Sequence, residues 1–163
     1  MAKHLKLDTW KKEILAGNLC PYCNDLTKRI KGSEIYGEDT PWADLDFMLC
    51  RPCWAYTGVH QKSGIALGSV ANALLRDKRR AAHQVFDRLY QEAHLTRTQA
   101  YLWLAKQLDL NRKLTHIGIF GEETCDLVVE LVPPFLEKLR QQKKLEKINI
   151  SARIVVSQTL IIT

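Results

Sequence analysis

Four of the five cysteines stand in two Cys-x-x-Cys pairs, at residues 20–23 and 50–53. Each pair is typical of a turn in which two thiolates converge on one cation. Four sulfur atoms in a tetrahedron, each about 2.3 Å from the metal, are what Zn²⁺ prefers in a closed structural site. We therefore predict one bound Zn²⁺ with the ligands Cys20, Cys23, Cys50 and Cys53. A closed site leaves no coordination position for water, so we do not expect this metal to be catalytic.

Paired cysteines also occur in thioredoxin-like redox sites and in iron–sulfur clusters. A redox pair is expected once, within a βαβ pattern that this sequence lacks, whereas a cluster remains compatible with four thiolates. The first residues contain no long apolar segment typical of a signal peptide. We therefore expect a reducing, cytoplasmic location, where such pairs favour metal or redox chemistry over disulfides.

The chain has 163 residues and a formal net charge of +6. This length is typical of one domain, or of one domain with a small module and a tail. Four thiolates and one Zn²⁺ sum to −2, which lowers the formal charge of the metal-bound protein to about +4. The excess is compatible with an anionic partner but does not identify nucleic acid. No run of about 20 apolar residues is present, so we expect no membrane partner.

The pattern along the chain predicts an α+β protein, in which a small zinc ribbon packs on a mainly helical domain. We expect an N-terminal helix within residues 1–17 and the zinc-ribbon module at 18–64. Within that module, Ser33–Tyr36 and Phe47–Leu49 are predicted to form a β-hairpin. Because the module has few apolar residues, metal binding would supply folding free energy on the order of 10 kcal/mol.

The helical domain is predicted at residues 65–132 and contains three amphipathic segments. The first runs over 66–93, the second over 97–108 with Thr96 as its cap, and the third follows Gly121. We expect Pro133-Pro134 to end the third helix. Residues 133–163 then form a basic helix and a β-prone tail from Ile148, which we expect to pair with a strand of this chain or of a partner.

Basic and aromatic residues near the ribbon and on the first long helix form a candidate nucleic-acid surface. Lysine and arginine could hold phosphates, and Tyr22, Tyr36, Trp42, Trp54 and Tyr56 could offer flat faces for bases. The aromatic residues could equally form the small core of the ribbon, and the charges could form a solvated, salt-bridged face. The candidate binding residues are Lys28, Arg29, Lys31, Tyr56, Arg76, Arg79 and Arg80.

Three histidines, His60, His83 and His116, are weak candidates for a second metal site or an acid–base site. Such a site requires them to converge, which spacing alone does not show, and capping or buried hydrogen bonds are the alternative roles. Cys125 lies on the apolar side of its helix and is predicted to be a core residue.

An ordered series of motifs resembles a family of zinc-finger-containing domains found in phages and bacteria. The motifs include residues 20–23, 35–37, 50–53, 55–60, 67–68, 82–83, 100–101 and 116–118. The resemblance covers roughly residues 18–130 and implies a zinc ribbon joined to a helical part, with the four cysteines as metal positions. It supplies no activity. It does give weight to positions Tyr56, His60, Arg76, Arg79, His83, Tyr101 and His116.

Three functions follow from these observations. The first is binding of DNA or RNA by the ribbon and the arginine-bearing helix. The second is a protein-interaction module, such as a phage-borne inhibitor or adaptor of a host enzyme, acting in the host cytoplasm through its β-prone tail. The third is a phosphate-handling hydrolase that uses the histidines, although clustered carboxylates for Mg²⁺ are missing. We therefore expect binding rather than catalysis.

Overall fold

The computed structural model describes residues 2–92 and 94–159, which form one small antiparallel sheet and six helices. The α+β class predicted from the sequence is confirmed. The elements are α1 Ala2–Leu15, β1 Lys28–Lys31, α2 Ser33–Tyr36, β2 Asp46–Cys50, β3 Ala55–Gly58, α3 Ala73–Phe86, α4 Arg88–Gln91, α5 Arg97–Gln107 and α6 Glu122–Thr159. Two 3₁₀ turns, Arg112–Leu114 and Ile117–Ile119, lie between α5 and α6.

The chain forms two structural units that divide after Arg80, within α3. The sheet unit contains residues 1–80 and 116–122, and the helical unit contains residues 81–115 and 123–163. Residues 65–80, which the sequence assigned to a helical domain, group with the sheet.

The sheet unit is built around three antiparallel strands in the order β1-β2-β3. Lys28 pairs with Leu49 across β1 and β2, and Cys50 pairs with Ala55 across β2 and β3. Two buried clusters form in this unit because alternate strand residues point to opposite sides of a sheet. The first cluster contains Ile30, Phe47, Leu49 and Tyr56, and the second contains Cys20, Cys50, Ala55 and Val70.

The hairpin predicted from Ser33–Tyr36 and Phe47–Leu49 is wrong in its first strand. β2 pairs with β1 on one side and with β3 on the other, and Ser33–Tyr36 forms the short helix α2. Gly32 allows the chain to turn into α2 close to the Trp42 backbone. A Cβ at this position would lie 1.9 Å from the Trp42 carbonyl oxygen, so only glycine fits. The amides of Ile35 and Tyr36 then donate to the Gly32 carbonyl and close one helical turn.

The first long helix begins seven residues later than its apolar pattern predicts. Ala66 and Ala71 form antiparallel bridges with Val59 and Tyr56, so the segment before Ala73 extends the edge of the sheet. Gly68 and Val70 are weaker helix formers than alanine and leucine, and pairing with Tyr56 and Val59 holds this segment extended.

The helical unit has a core of large apolar side chains. Helix α5 begins after Thr96, whose hydroxyl accepts from the Gln99 amide while the Gln99 side chain accepts from the Thr96 amide. This confirms the predicted cap. The fully buried core side chains include Phe86, Leu89, Leu104, Cys125, Val128 and Val132, which confirms Cys125 as a core residue.

Helix α6 continues through Pro133 and Pro134 to Thr159, so the predicted helix end is wrong. Proline removes backbone hydrogen bonds, at about 3 kcal/mol or more in a helix interior. Packing offsets this cost, because Val132 and Leu136 are buried on one face across the prolines, and Phe135 stacks on Trp103 at 4.2 Å between ring centroids.

The predicted β-strand in the tail is also wrong for residues 148–159, which are helical, while residues 160–163 lie outside the described part. A continuous helix satisfies every backbone group locally, whereas a strand here needs a partner strand. Among the described residues, no helix combines the length and the apolar character needed to cross a membrane.

Candidate metal centre

The first cysteine pair lies in a tight turn closed by an antiparallel bridge between Leu19 and Leu26. The Cys20 amide donates to the Asp25 carbonyl at 2.9 Å, and the Asn24 amide donates to the Cys20 carbonyl at 3.0 Å. Asn24 has a φ of 62°, in the left-handed region that asparagine tolerates better than most residues. This reversal turns the chain back directly after Cys23.

The second cysteine pair repeats this arrangement at the end of β2. Cys50 pairs with Ala55 across the turn, and Trp54 has a φ of 51° directly after Cys53. A bulky residue in the left-handed region is uncommon and costs about 1–2 kcal/mol. In both turns, therefore, a left-handed residue follows the second cysteine and allows the two thiols to point to one side.

The two turns bring four sulfur atoms together. The Sγ atoms of Cys20, Cys23, Cys50 and Cys53 all lie within 4.8 Å of one another, and the Sγ atoms of Cys23 and Cys50 are 3.4 Å apart. A tetrahedral ZnS₄ site with bonds of about 2.3 Å has sulfur–sulfur edges of about 3.8 Å. The donor set and its spacing therefore fit a four-coordinate metal.

Burial and hydrogen bonding act in opposite directions on these thiols. Burial raises the pKa of Cys20, but the amides of Tyr22 and Cys23 donate to its sulfur, and the net effect lowers this pKa. Burial raises the pKa of Cys50 to about 12, against a hydrogen bond from the Cys53 amide. The hydrogen bond with Cys23 raises the pKa of Cys53 to about 11. The unliganded quartet thus resists full ionisation, and a cation would supply the charge that thiolates need.

Residues 16–134 match the family of zinc-finger-containing domains. The chain belongs to that family. This match confirms the resemblance seen in the sequence motifs, and the clustered cysteines agree with a metal-binding domain. No curated protein and no solved structure matches the chain significantly.

The basic residues of β1 are partly occupied by contacts within the sheet unit. The Lys31 Nζ lies 2.9 Å from an Asp46 carboxylate oxygen, and Arg29 contacts both Asp46 and the Gly64 carbonyl. The hydrogen bond from Lys31 lowers the pKa of Asp46. Lys28 instead lines a surface pocket of about 510 Å³ together with Arg51. The role of Asp46 could not be predicted from the residue pattern, because it depends on the strand register that pairs Asp46 with Lys31.

The three arginines on α3 have different environments. Arg79 is 9% exposed and donates to the Ser69 carbonyl, the Ser69 hydroxyl and the Phe120 carbonyl. These contacts give it a structural role. Arg80 is exposed and pairs with Asp77 at 2.9 Å.

Arg76 covers Tyr56, and its Cζ lies 3.7 Å from the centroid of that ring. Its Nη1 donates to the Ala71 carbonyl at 2.7 Å. Tyr56 is buried, with its ring under this guanidinium, so a base could not stack directly on it.

Exposed aromatic side chains extend from Tyr56 to the surface. Tyr36 contacts Trp42 at 5.3 Å and Tyr56 at 5.9 Å between ring centroids, and its hydroxyl lies 3.1 Å from that of Tyr56. Tyr36 is 37% and Trp42 51% exposed. Burial and the hydrogen bond with Tyr56 raise the pKa of Tyr36 to about 12, and the charges of Arg76 and Arg80 oppose this rise. Both arginines therefore act electrostatically on the same aromatic cluster.

Two of the three candidate histidines, His83 and His116, make local side-chain contacts. His83 Nδ1 lies 3.3 Å from Asp87 in the helical unit. His116 Nδ1 accepts from the Gly118 amide at 3.3 Å and caps a 3₁₀ turn of the sheet unit, which also contains His60. Among the described residues, the group of His, Cys, Asp and Glu side chains that could hold a metal consists of the four cysteines and includes no histidine.

Proposed function

We propose that the protein is a zinc-stabilised module that binds single-stranded nucleic acid through its sheet unit. The four cysteines hold a structural Zn²⁺, because they are four sulfur donors at tetrahedral spacing in a zinc-finger-containing domain. The metal links the turn at Cys20 to the end of β2 and so fixes the sheet. Cysteine pairs that hold a metal rather than form disulfides are typical of a reducing compartment such as the cytoplasm.

The observation that carries the nucleic-acid proposal is the aromatic–arginine surface, which we define as Tyr36, Trp42, Arg76 and Arg80. Two exposed rings lie in contact, Arg76 covers the adjoining Tyr56 ring, and Arg80 lies one helical turn from Arg76 on α3. Proteins that bind single strands combine such rings, on which bases stack, with cations that hold the backbone. A duplex keeps its bases stacked inside, so this surface favours a single strand.

The members of the surface have separate roles. Trp42 and Tyr36 offer base-stacking faces, and Arg76 holds the Tyr56 ring beneath Tyr36. Arg80 exchanges its exposed ion pair with Asp77 for a phosphate, an exchange of low cost because an exposed pair contributes about 0–1 kcal/mol. Lys28, Arg29 and Lys31 on β1 are candidates for further phosphate contacts.

The experiment is fluorescence anisotropy of labelled single-stranded and duplex oligonucleotides with zinc-loaded protein at 50–200 mM salt. We expect micromolar or tighter binding of single strands that weakens as salt rises. Trp42→Ala should weaken it by about 1–3 kcal/mol, roughly 5- to 150-fold. Arg80→Gln should reduce the magnitude of the slope of log K against log salt by about 0.7, the value for one phosphate contact on a single strand.

Lys62→Gln is the matched control, since it removes one exposed charge from the same unit without touching the aromatic–arginine surface. It should leave the affinity within about twofold. Absence of binding at 50 mM salt, or equal effects of Lys62→Gln and Trp42→Ala, would reject the nucleic-acid proposal while leaving the metal site intact.

A protein-interaction module is the second candidate, favoured by an exposed apolar strip near the end of α6. Leu145 and Ile148 are 61% and 54% exposed, one helical turn apart. A partner helix or groove would bury them. Pull-down with full-length protein and with the double variant Leu145→Lys, Ile148→Lys tests this. A partner retained equally by both proteins would count against the strip.

A further inference from the structure

The helical unit contains two arginines directed at one tyrosine. Arg112 Cζ lies 4.9 Å from the centroid of the Tyr101 ring, and Arg97 Cζ lies 5.9 Å from it. Arg97 lies at the same 5.9 Å from the Tyr90 ring. Tyr101 is 4% exposed, whereas Arg97 and Arg112 are both exposed. We call these four residues the tyrosine–arginine cluster.

Three elements that are separate in sequence build this cluster. Tyr90 lies on α4, Arg97 and Tyr101 lie one turn apart on α5, and Arg112 begins the 3₁₀ turn Arg112–Leu114. The Thr96 cap fixes the start of α5 and therefore the position of Arg97. A surface built from three elements holds its charges in a fixed arrangement, unlike arginines scattered along one exposed helix.

The charges of the cluster are not balanced within the described residues. Other arginines of the chain form ion pairs, such as Arg80 with Asp77 and Arg140 with Glu92. No such pair with a carboxylate is found for Arg97 or Arg112 in residues 9–92 and 94–150. Asp87 acts electrostatically on Tyr90 and Tyr101, and its carboxylate lies 3.3 Å from His83 Nδ1. Two guanidinium groups near one ring repel each other, and an anion between them removes that repulsion.

Hydrogen-bond donors accompany the positive charge. Each guanidinium presents a planar fork that matches the oxygen atoms of a phosphate. Arg97 is the first residue of α5, an 11-residue helix whose N-terminus adds partial positive charge. Burial raises the pKa of Tyr101, so its hydroxyl stays protonated and adds no negative charge to the cluster.

We propose that Arg97 and Arg112 form a binding site for a phosphomonoester group. The two positive charges match the dianion that a phosphomonoester carries above a pKa of about 6. Cation–π contact with the Tyr101 ring positions the guanidinium groups, and the site makes no covalent change in its ligand. It lies in the helical unit, whereas the aromatic–arginine surface lies in the sheet unit, so the two proposals stand or fail separately.

The test is a titration of ¹⁵N-labelled, zinc-loaded full-length protein followed by NMR, including the arginine Nε–H signals. The probes are inorganic phosphate, phenyl phosphate and dimethyl phosphate, with sodium chloride at matched ionic strength. We expect saturable shifts at Arg97 and Arg112 with phosphate and phenyl phosphate, and at least tenfold weaker binding of the diester. Arg97→Gln and Arg112→Gln should each weaken phenyl phosphate binding at least tenfold.

Lys113→Gln is the matched control, because it removes an exposed charge next to Arg112. It should change the affinity less than twofold. The proposal is overturned if the shifts are linear in concentration, if they map outside the cluster, or if Lys113→Gln weakens binding as much as Arg112→Gln. Equal affinity for the monoester and the diester would also reject a dianion site. If a variant loses stability, the positions of the shifts in the wild-type protein still show whether phosphate binds at Arg97 and Arg112.

Discussion

Arg79 and Ser69 are joined by two hydrogen bonds, from Nη1 to the Ser69 carbonyl oxygen at 2.8 Å and from Nη2 to the Ser69 hydroxyl at 2.7 Å. The Arg79 Nε also donates to the Phe120 carbonyl at 3.0 Å. A single guanidinium therefore ties α3 to the segment before it and to the returning segment 116–122. These contacts lie within the sheet unit.

Arg79→Gln should lower the free energy of unfolding of the sheet unit. The shorter side chain cannot reach both partners, and hydrogen bonds to a charged group contribute about 1.5–3 kcal/mol. Urea denaturation followed by tryptophan fluorescence measures the change. Arg80→Gln, one residue along and exposed, is the control and should change it by no more than about 0.5 kcal/mol. Similar losses in the two variants would contradict the structural role of Arg79.

The two arginines also show how far sequence reasoning reaches. The apolar pattern predicted a helix over 66–93, and the structure has α3 at Ala73–Phe86, in which Leu74 is exposed while Leu75 and Arg79 are buried. An apolar pattern predicts every arginine to be a surface residue, whereas Arg79 is buried because the Ser69 and Phe120 carbonyls accept its hydrogen bonds. In contrast, the metal site followed from spacing alone, because four thiols in two short turns have few other uses.

A close backbone contact between Gly68 and Gly118 gives a second stability prediction. A Cβ added at Gly68 would lie 2.0 Å from the Gly118 carbonyl oxygen, and Gly68 has a φ of 155°. Gly68→Ala must therefore push two backbone segments apart, and we expect a loss of several kcal/mol, as for other severe strain. Thermal unfolding followed by circular dichroism measures it.

Gly121→Ala is the control for Gly68→Ala, because a Cβ there meets no atom within 4 Å. It should leave the melting temperature nearly unchanged. The two glycines lie in the same unit and differ mainly in the space around them. Equal melting temperatures for Gly68→Ala and Gly121→Ala would show that the backbone segments at Gly68 and Gly118 can move apart without loss of stability.

Metal removal should unfold the sheet unit. Purified protein should contain one equivalent of zinc, and Cys50→Ser should lose it, because three thiolates bind zinc more weakly and Cys50 is fully buried. Elemental analysis and near-ultraviolet circular dichroism with and without a strong chelator are the measurements. Cys125→Ala, which removes a buried thiol from the helical unit, should retain the metal. A full equivalent bound by Cys50→Ser would exclude the four-cysteine site.

Glu92 should make the helical unit sensitive to acid. Its carboxylate accepts from Arg140 at 2.8 and 3.0 Å and from Arg88 at 2.9 Å, and these hydrogen bonds lower its pKa to about 2, with Arg140 the largest cause. The ordinary value is 4.5. Because the folded pKa lies below the unfolded one, the stabilisation is complete above about pH 5 and is lost as the pH falls from 4.5 towards 2.

Glu92→Gln removes the titrating carboxyl group. The difference in melting temperature between the wild type and this variant therefore measures the contribution of the Glu92 charge to stability. We expect the wild type to be the more stable at pH 7, with a constant difference down to about pH 5 that shrinks below pH 4.5. Acid-induced loss of zinc affects both proteins alike and cancels in the comparison. A difference that stays constant down to pH 3 would mean that Glu92 has the same pKa in the folded and unfolded chains, and that its contacts with Arg140 and Arg88 do not stabilise the charged form.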